Sequence, residues 1–310
     1  MATTRWTDNV LQEIDDSINK MLSYNSSGSN DNDKIEYINW NLTKQLDENE
    51  KLNFNNRDIE FNYISFSYDK VTPGDQPLED RITNHKGFII VYSNGVNINY
   101  IINQKSSALL ILRKLLGYNG RSEITSNCFL IESDLFIWLI SKVYDLENVL
   151  GGEDSEEEYE NIIIDAIKGF KGDTDDLLTK VTADGESVMN IISTLSFLLE
   201  SRNLKQIRLD MKYKNHNNVE LTLDSKGTIT TSTSGYVGEF EECGNRYSSI
   251  SKIYLLIYLE IVPRIMQLFR DEKENDIWNE QANVNFLKKV ASDLTEKVDS
   301  KINSLISSVT

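Results

Sequence analysis

The stretch Gln206-Ile207-Arg208-Leu209-Asp210-Met211-Lys212-Tyr213 alternates apolar and polar side chains without a slip. That is the period of a strand with one buried and one solvated face. Outward from it, Asn215-His216-Asn217-Asn218 turns the chain back, and Val219, Leu221 and Leu223 alternate against Glu220, Thr222 and Asp224. Asp224-Ser225-Lys226-Gly227 suits a tight turn closed by a glycine at positive φ. A third strand over residues 228–233 completes a meander. On the amino side, Val188, Ile192, Leu195 and Leu199 predict a helix over 187–201 that buries one stripe. On the carboxyl side an apolar helix is expected over 247–269. Both are natural covers for the apolar face of the sheet, which would be sticky in water if left open.

The N-terminal half reads as a second α+β unit. Val10, Leu11, Ile14, Ile18, Met21 and Leu22 predict an amphipathic helix over 8–22, whereas 35–52 reads two ways, as a strand through the alternating Ile38, Trp40 and Leu42 or as a helix through Ile35, Ile38, Leu42 and Leu46, with the helix preferred. From Asp58 to Tyr68 the apolar positions change phase, Ile59, Phe61, Tyr63 and then Ile64, Phe66, Tyr68, as at a β-bulge or in a strand buried on both sides. Asn94-Gly95 between the runs 88–92 and 96–102 is a type I′ hairpin signal. A helix over 107–116 stopped by Gly117, a short strand over 128–131 and a helix over 134–144 follow. The fold class expected is α+β: two lobes of small, mainly antiparallel sheets covered by helices, with a long C-terminal helix. The lobes are placed at 1–150 and 161–310, with 151–160 as an acidic linker.

At 310 residues and 39% hydrophobic content the chain can build a normal core. Its net charge of -17 argues against wholesale wrapping of nucleic acid or anionic membrane, both of which need cationic surface. Residues 145–176 hold twelve Asp/Glu and two Lys, a net of -10. With only Cys128 and Cys243 present there is no disulfide framework or zinc ribbon, and the plain expectation is a reducing, cytoplasmic setting. No apolar run has the length that spans a bilayer, and no membrane partner is expected. The abundance of Asn, Ile, Lys and Tyr points to an AT-rich genome, bacterial or viral.

Signatures for catalysis are absent: no HExxH, CxxC, GxSxG, Walker loop or GxGxxG occurs, and the two histidines, His85 and His216, have no companion. No cofactor and no metal site is expected. Asp173-Thr174-Asp175-Asp176 begins like a calcium loop, but Leu178 occupies the glycine position, so a solvated helix start is preferred. Asp210 with Asp224-Ser225-Lys226 has the outline of a PD-(D/E)xK nuclease centre, in which two acids hold Mg²⁺ and the lysine orients water. Against this, Lys226 falls in a predicted turn.

A contrast in charge is the strongest functional signal. Arg202, Lys205, Arg208, Lys212 and Lys214 set five cations against Asp210 alone on one face, with Tyr213 and His216 nearby. Such a face binds a polyanion, protects a sheet edge from pairing, or pairs with acids of its own chain. Residues 283–309 form a nearly heptad seam through Val284, Leu287, Ala291, Leu294, Val298, Ile302, Leu305 and Val309, suited to packing on the chain's own helices, to self-association or to docking a partner. The expectation is a non-enzymatic interaction protein, a subunit of a bacterial antiviral or mobile-element complex that engages nucleic acid at its basic face or a protein partner. The alternatives are the Mg²⁺-dependent nuclease of Asp210, Asp224 and Lys226, and an acidic decoy whose 145–176 segment occupies a partner's nucleic-acid site.

Overall fold

The computed structural model describes residues 2–25, 35–54, 56–120, 122–151, 161–174, 180–184, 192–241 and 244–307. In chain order the elements are β1 (Ala2–Asp8), α1 (Ile14–Leu22), β2 (Glu36–Lys44), β3 (Glu50–Phe54), β4 (Arg57–Val71), α2 (Leu78–Arg81), β5 (Ile82–Ser93), β6 (Ile98–Ile102), α3 (Ala108–Leu116), β7 (Ile124–Ser126), α4 (Ser133–Tyr144), β8 (Val149–Leu150), β9 (Ile162–Thr174), β10 (Lys180–Asp184), α5 (Ile192–Glu200), β11 (Ser201–Tyr213), β12 (His216–Asp224), β13 (Ile229–Thr231), β14 (Val237–Gly238) and α6 (Arg246–Leu256), then a π-helical turn (Ile257–Ile261), α7 (Val262–Glu274) and α8 (Glu280–Ser307). The chain is α+β with a long C-terminal helix, but the small sheets expected give way to extensive antiparallel pairing: β4 has 15 residues, β9 and β11 13 each, and β5 12. Two compact units result, Met1–Cys128 with Glu242–Leu256, and Phe129–Glu241 with Ile257–Thr310. The chain crosses between the units at 128/129, 241/242 and 256/257, and residues 152–160 of the acidic stretch expected as a linker lie outside the described residues.

In unit 1 the strand order is β7-β1-β6-β5-β4-β2, with β3 also on β4. The phase change in β4 is not a bulge, because its register with β5 runs unbroken from Glu60↔Ser93 to Val71↔Ile82. It marks a strand buried on both faces. Ile64, Phe66 and Tyr68 pack with Ile18 and Met21 of α1 and Ile111 and Leu115 of α3, whereas Tyr63 stacks on Phe88 at 5.1 Å and meets Tyr247 of α6 at 5.0 Å. Gly95 turns the β5–β6 hairpin at φ 81, and Gly117 ends α3 at φ 66, conformations a Cβ disfavours.

Two predicted helices of this half are corrected. The helix expected over 8–22 begins only at Ile14, because residues 4–8 of β1 pair with β6 and the Asp8 carboxylate then accepts the N–H groups of Val10 and Leu11, turning the chain. The helix expected within 35–52 is β2 and β3. An extra residue, Asn39 at φ 53, bulges out of β2 between Ile38 and Asn41. The core-facing positions therefore run Tyr37, Trp40, Leu42, so the alternation holds from Trp40 to Leu42 and breaks at the bulge before it. The short strand expected at 128–131 lies instead at β7.

Unit 2 carries the order β10-β9-β11-β12-β13, with β8 on β9 and β14 on β12. The meander forms as its alternation dictates: Gln206 opposes Asp224, Asp210 opposes Glu220, and Ile207, Leu209, Met211, Val219, Leu221 and Leu223 are buried. Gly227 closes the turn at φ 74. The sheet's covers are α4, whose Ser133 hydroxyl accepts the Leu204 N–H at 2.8 Å, and α5, whose Phe197 stacks on Phe170 at 5.7 Å. The helix expected over 247–269 is not one cover: α6 belongs to unit 1, and the chain passes through the π turn into α7. Pro263 has no N–H for the carbonyl four residues back, and the helix in front of it opens into the wider bonding pattern.

Below the sheet, Trp138 packs on Phe269 at 5.5 Å and donates to Glu272 at 2.8 Å, while Trp278 donates to Asp134 at 3.1 Å. Phe286 and Val290 bury the N-terminal half of α8 here.

Candidate interaction surface

On the polar face of β9, β11 and β12, Arg208 and Lys212 of the cations singled out from the sequence are bonded to carboxylates of neighbouring strands. Arg208 pairs with Glu220 at 3.0 Å, Lys212 with Asp165 at 2.9 Å, and Lys168 with Asp210 at 3.2 Å. Three cations and three anions alternate across three strands, so this patch sums to zero. Lys214, in the turn at φ 50, lies 3.6 Å from the buried Glu260 carboxylate, which also accepts the Tyr213 hydroxyl at 3.1 Å. Lys205 is exposed, and the side chain of Arg202 lies outside the described residues.

Tyr213 and His216 do not present themselves to a ligand. Both are buried, and His216 Nδ1 shares a hydrogen bond with the Tyr236 hydroxyl while its ring packs 4.9 Å from Phe240. Burial holds the His216 pKa below its ordinary value, and the nearby Lys214 charge adds to the effect against the opposing influence of Glu239. The imidazole is a neutral packing element that fixes β14 on β12.

The three residues of the nuclease outline are not brought together. Asp210 opposes Glu220 and Asp224 opposes Gln206, so four residues separate the two acids along the hairpin, about 13 Å at the rise of a strand. Asp210 is held by Lys168, and the Asp224 carboxylate accepts the Lys226 N–H at 2.9 Å, a turn-forming role. Among the described residues no group of three or more His, Cys, Asp or Glu could hold a metal ion. The calcium-loop outline falls partly on 175–179, outside the described residues.

A measurable consequence follows for the ion-pair lattice. The double substitution Arg208→Ala/Lys212→Ala should lower the melting temperature by no more than about 4 °C, since part-exposed pairs contribute about 0–1 kcal/mol each. Wild type should show no retention on DNA at physiological salt. Salt-sensitive DNA binding that disappears in the double variant would restore the polyanion reading.

A different surface is open on α8. Its seam is covered at Phe286 and Val290, but Val298 is 37% and Ile302 49% exposed, one helical turn apart on the same stripe. Beside it runs a groove of about 1020 Å³ between the end of α4 and α8, lined by Val143, Tyr144, Leu146, Lys289, Asp293 and Lys297. Tyr144 donates to Asp293 at 2.5 Å, and burial followed by that carboxylate raises its pKa, so the phenol stays a neutral donor.

At the groove mouth stands Leu146, 87% exposed and at φ 63. This left-handed residue closes α4, where the Leu146 N–H donates to the Val143 carbonyl at 3.3 Å and the Glu147 N–H to the Lys142 carbonyl at 2.8 Å, with a leucine at the position glycine usually fills. Sequence reasoning passed over it, although a leucine between Asp145 and Glu147, just past a predicted helix, is a visible anomaly. Its charged lining, Lys289, Lys297 and Lys301 against Asp293 and Glu296, sums to +1, so the groove is polar but not strongly charged. No protein-family model matches this chain and no curated protein matches its sequence.

Proposed function

We propose that this chain is a non-enzymatic interaction protein that docks a protein partner on the C-terminal half of α8 and the groove beside it. The observation that carries the reading is the apolar strip of Val298 and Ile302 lying open next to a groove with the exposed Leu146 at its mouth. An apolar stripe at helical spacing is costly to leave in water and is what helix-in-groove recognition uses. The compensated charges on the β11 face favour its reading as a protected sheet surface over a polyanion site.

The test compares immobilised wild type with Val298→Asp/Ile302→Asp in an extract of cells that carry the gene. Both positions face solvent, so matching melting curves should confirm an intact fold. A protein retained stoichiometrically by wild type, and rebinding when purified, should be weakened at least about 30-fold by the double variant, the effect of losing an interface anchor of about 2 kcal/mol. Identical retention by both chains would refute the assignment of the surface.

A further inference from the structure

We infer that the occupant of this surface is a second copy of the chain, packed antiparallel, α8 against α8. The inference rests on the docking reading above and names its partner.

Charge is the first ground. The chain carries -17, yet residues 284–307 hold Lys288, Lys289, Lys297 and Lys301 against Asp293, Glu296 and Asp299, a net of +1. Two copies approaching through their acidic surfaces repel one another, and this helix is a face on which they do not. The signs are also ordered. An antiparallel copy centred near Val298 sets Lys301 of one chain opposite Asp293 of the other, and the two-fold axis returns the same pair. Asp293 and Lys301 both line the groove.

Shape is the second ground. The strip of Val298 and Ile302 and the groove of Tyr144 and Leu146 lie side by side along one helix. In a two-fold arrangement the strip of each chain fills the groove of the other, so the patch complements itself, as an isologous interface requires. Antiparallel centring also lays Ile302 of one copy beside Leu294 of its partner. The contact spans about three helical turns, roughly 15 Å. That places it among small, reversible interfaces, with affinity in the micromolar range or weaker.

The experiment is light scattering after gel filtration of the purified full chain from about 1 to 200 µM. Wild type should rise from the monomer mass of 35.6 kDa toward twice that value. Ile302→Asp and Lys301→Glu should each shift the midpoint at least tenfold, and Lys301→Glu/Asp293→Lys should recover a large part of the loss by restoring the pair with its signs exchanged. A wild type that stays monomeric throughout overturns the inference, as does a dimer insensitive to both single substitutions. Either result leaves the docking reading to the extract comparison, where a partner of different sequence lost by Val298→Asp/Ile302→Asp would uphold it.

Discussion

Asp8→Ala is expected to destabilise unit 1 by about 3–5 kcal/mol, read as a shifted urea midpoint. Asp8 is 1% exposed, and its carboxylate is the meeting point of four donors. It accepts the Tyr100 hydroxyl at 2.7 Å, the Tyr118 hydroxyl at 3.0 Å, and the backbone N–H groups of Val10 and Leu11 at 2.8 and 2.9 Å. Ser17 of α1 extends the network to Tyr100 at 2.8 Å. One side chain thus ties β1, the entry to α1, β6 and the segment after α3. Burial, and then the Asp8 charge, holds the Tyr100 and Tyr118 pKa values well above the ordinary tyrosine value, so both remain neutral donors through neutral pH. Truncation to alanine strands these donors and leaves a void. Asp8→Asn keeps an acceptor for the backbone pair but turns an amide N–H₂ toward the phenols, and should cost less than alanine. A loss below about 1 kcal/mol for Asp8→Ala would show that water replaces the carboxylate without penalty.

Much of the fold is legible wherever local pattern and tertiary environment agree. Gln206–Tyr213 and Val219–Asp224 alternate because one face of each strand is buried, and their pairing follows from the turn between them. Asn94-Gly95 marks its hairpin because only a few residues tolerate the angles required. Legibility fails where packing cancels the pattern. In β4, residues 61–64 are all buried, so alternation vanishes in the middle of a regular strand. In β2, the bulge at Asn39 breaks the alternation between Tyr37 and Trp40, so the strand period is legible only from Trp40 to Leu42.

The candidate site divides in the same way. The cations of β11 are visible in the sequence, but their partners are set by register: Asp165 reaches Lys212 from the neighbouring β9, and no local signal announces that pairing. The α8 seam is visible as spacing, whereas which part of it remains open depends on how α5 and α4 pack against it. Sequence spacing therefore identifies the helix, and only the packed structure separates its buried half from its exposed half.

Gly87→Ala should destabilise unit 1 by about 2–4 kcal/mol, although it adds a single methyl group to a strand. Gly87 of β5 lies directly across from Phe66 of β4. A Cβ on Gly87 would collide with Phe66 Cζ and sit 2.5 Å from Asn103 Oδ1. Neither neighbour can yield cheaply. Phe66 is 3% exposed and lies in an aromatic row with Trp40 at 6.3 Å and Tyr68 at 6.1 Å, so moving its ring disturbs the close-packed core that joins β4 to α1 and α3. Asn103 Oδ1 accepts the Phe88 N–H at 2.6 Å, and displacing it unpairs a strand donor. Phe66 laid over the glycine is the arrangement by which an aromatic ring compensates a missing side chain in a sheet, and it explains why a residue of low strand propensity stands in a long strand. The compensating experiment follows from the same geometry. Gly87→Ala combined with Phe66→Leu should recover part of the loss, because the shorter side chain vacates the space the methyl needs, and the coupling should be at least about 1 kcal/mol in a double-mutant cycle. Urea unfolding of the two single variants and the pair measures it. Strict additivity would mean that the strain is relieved through the backbone and that the Phe66 contact does not require glycine at this position.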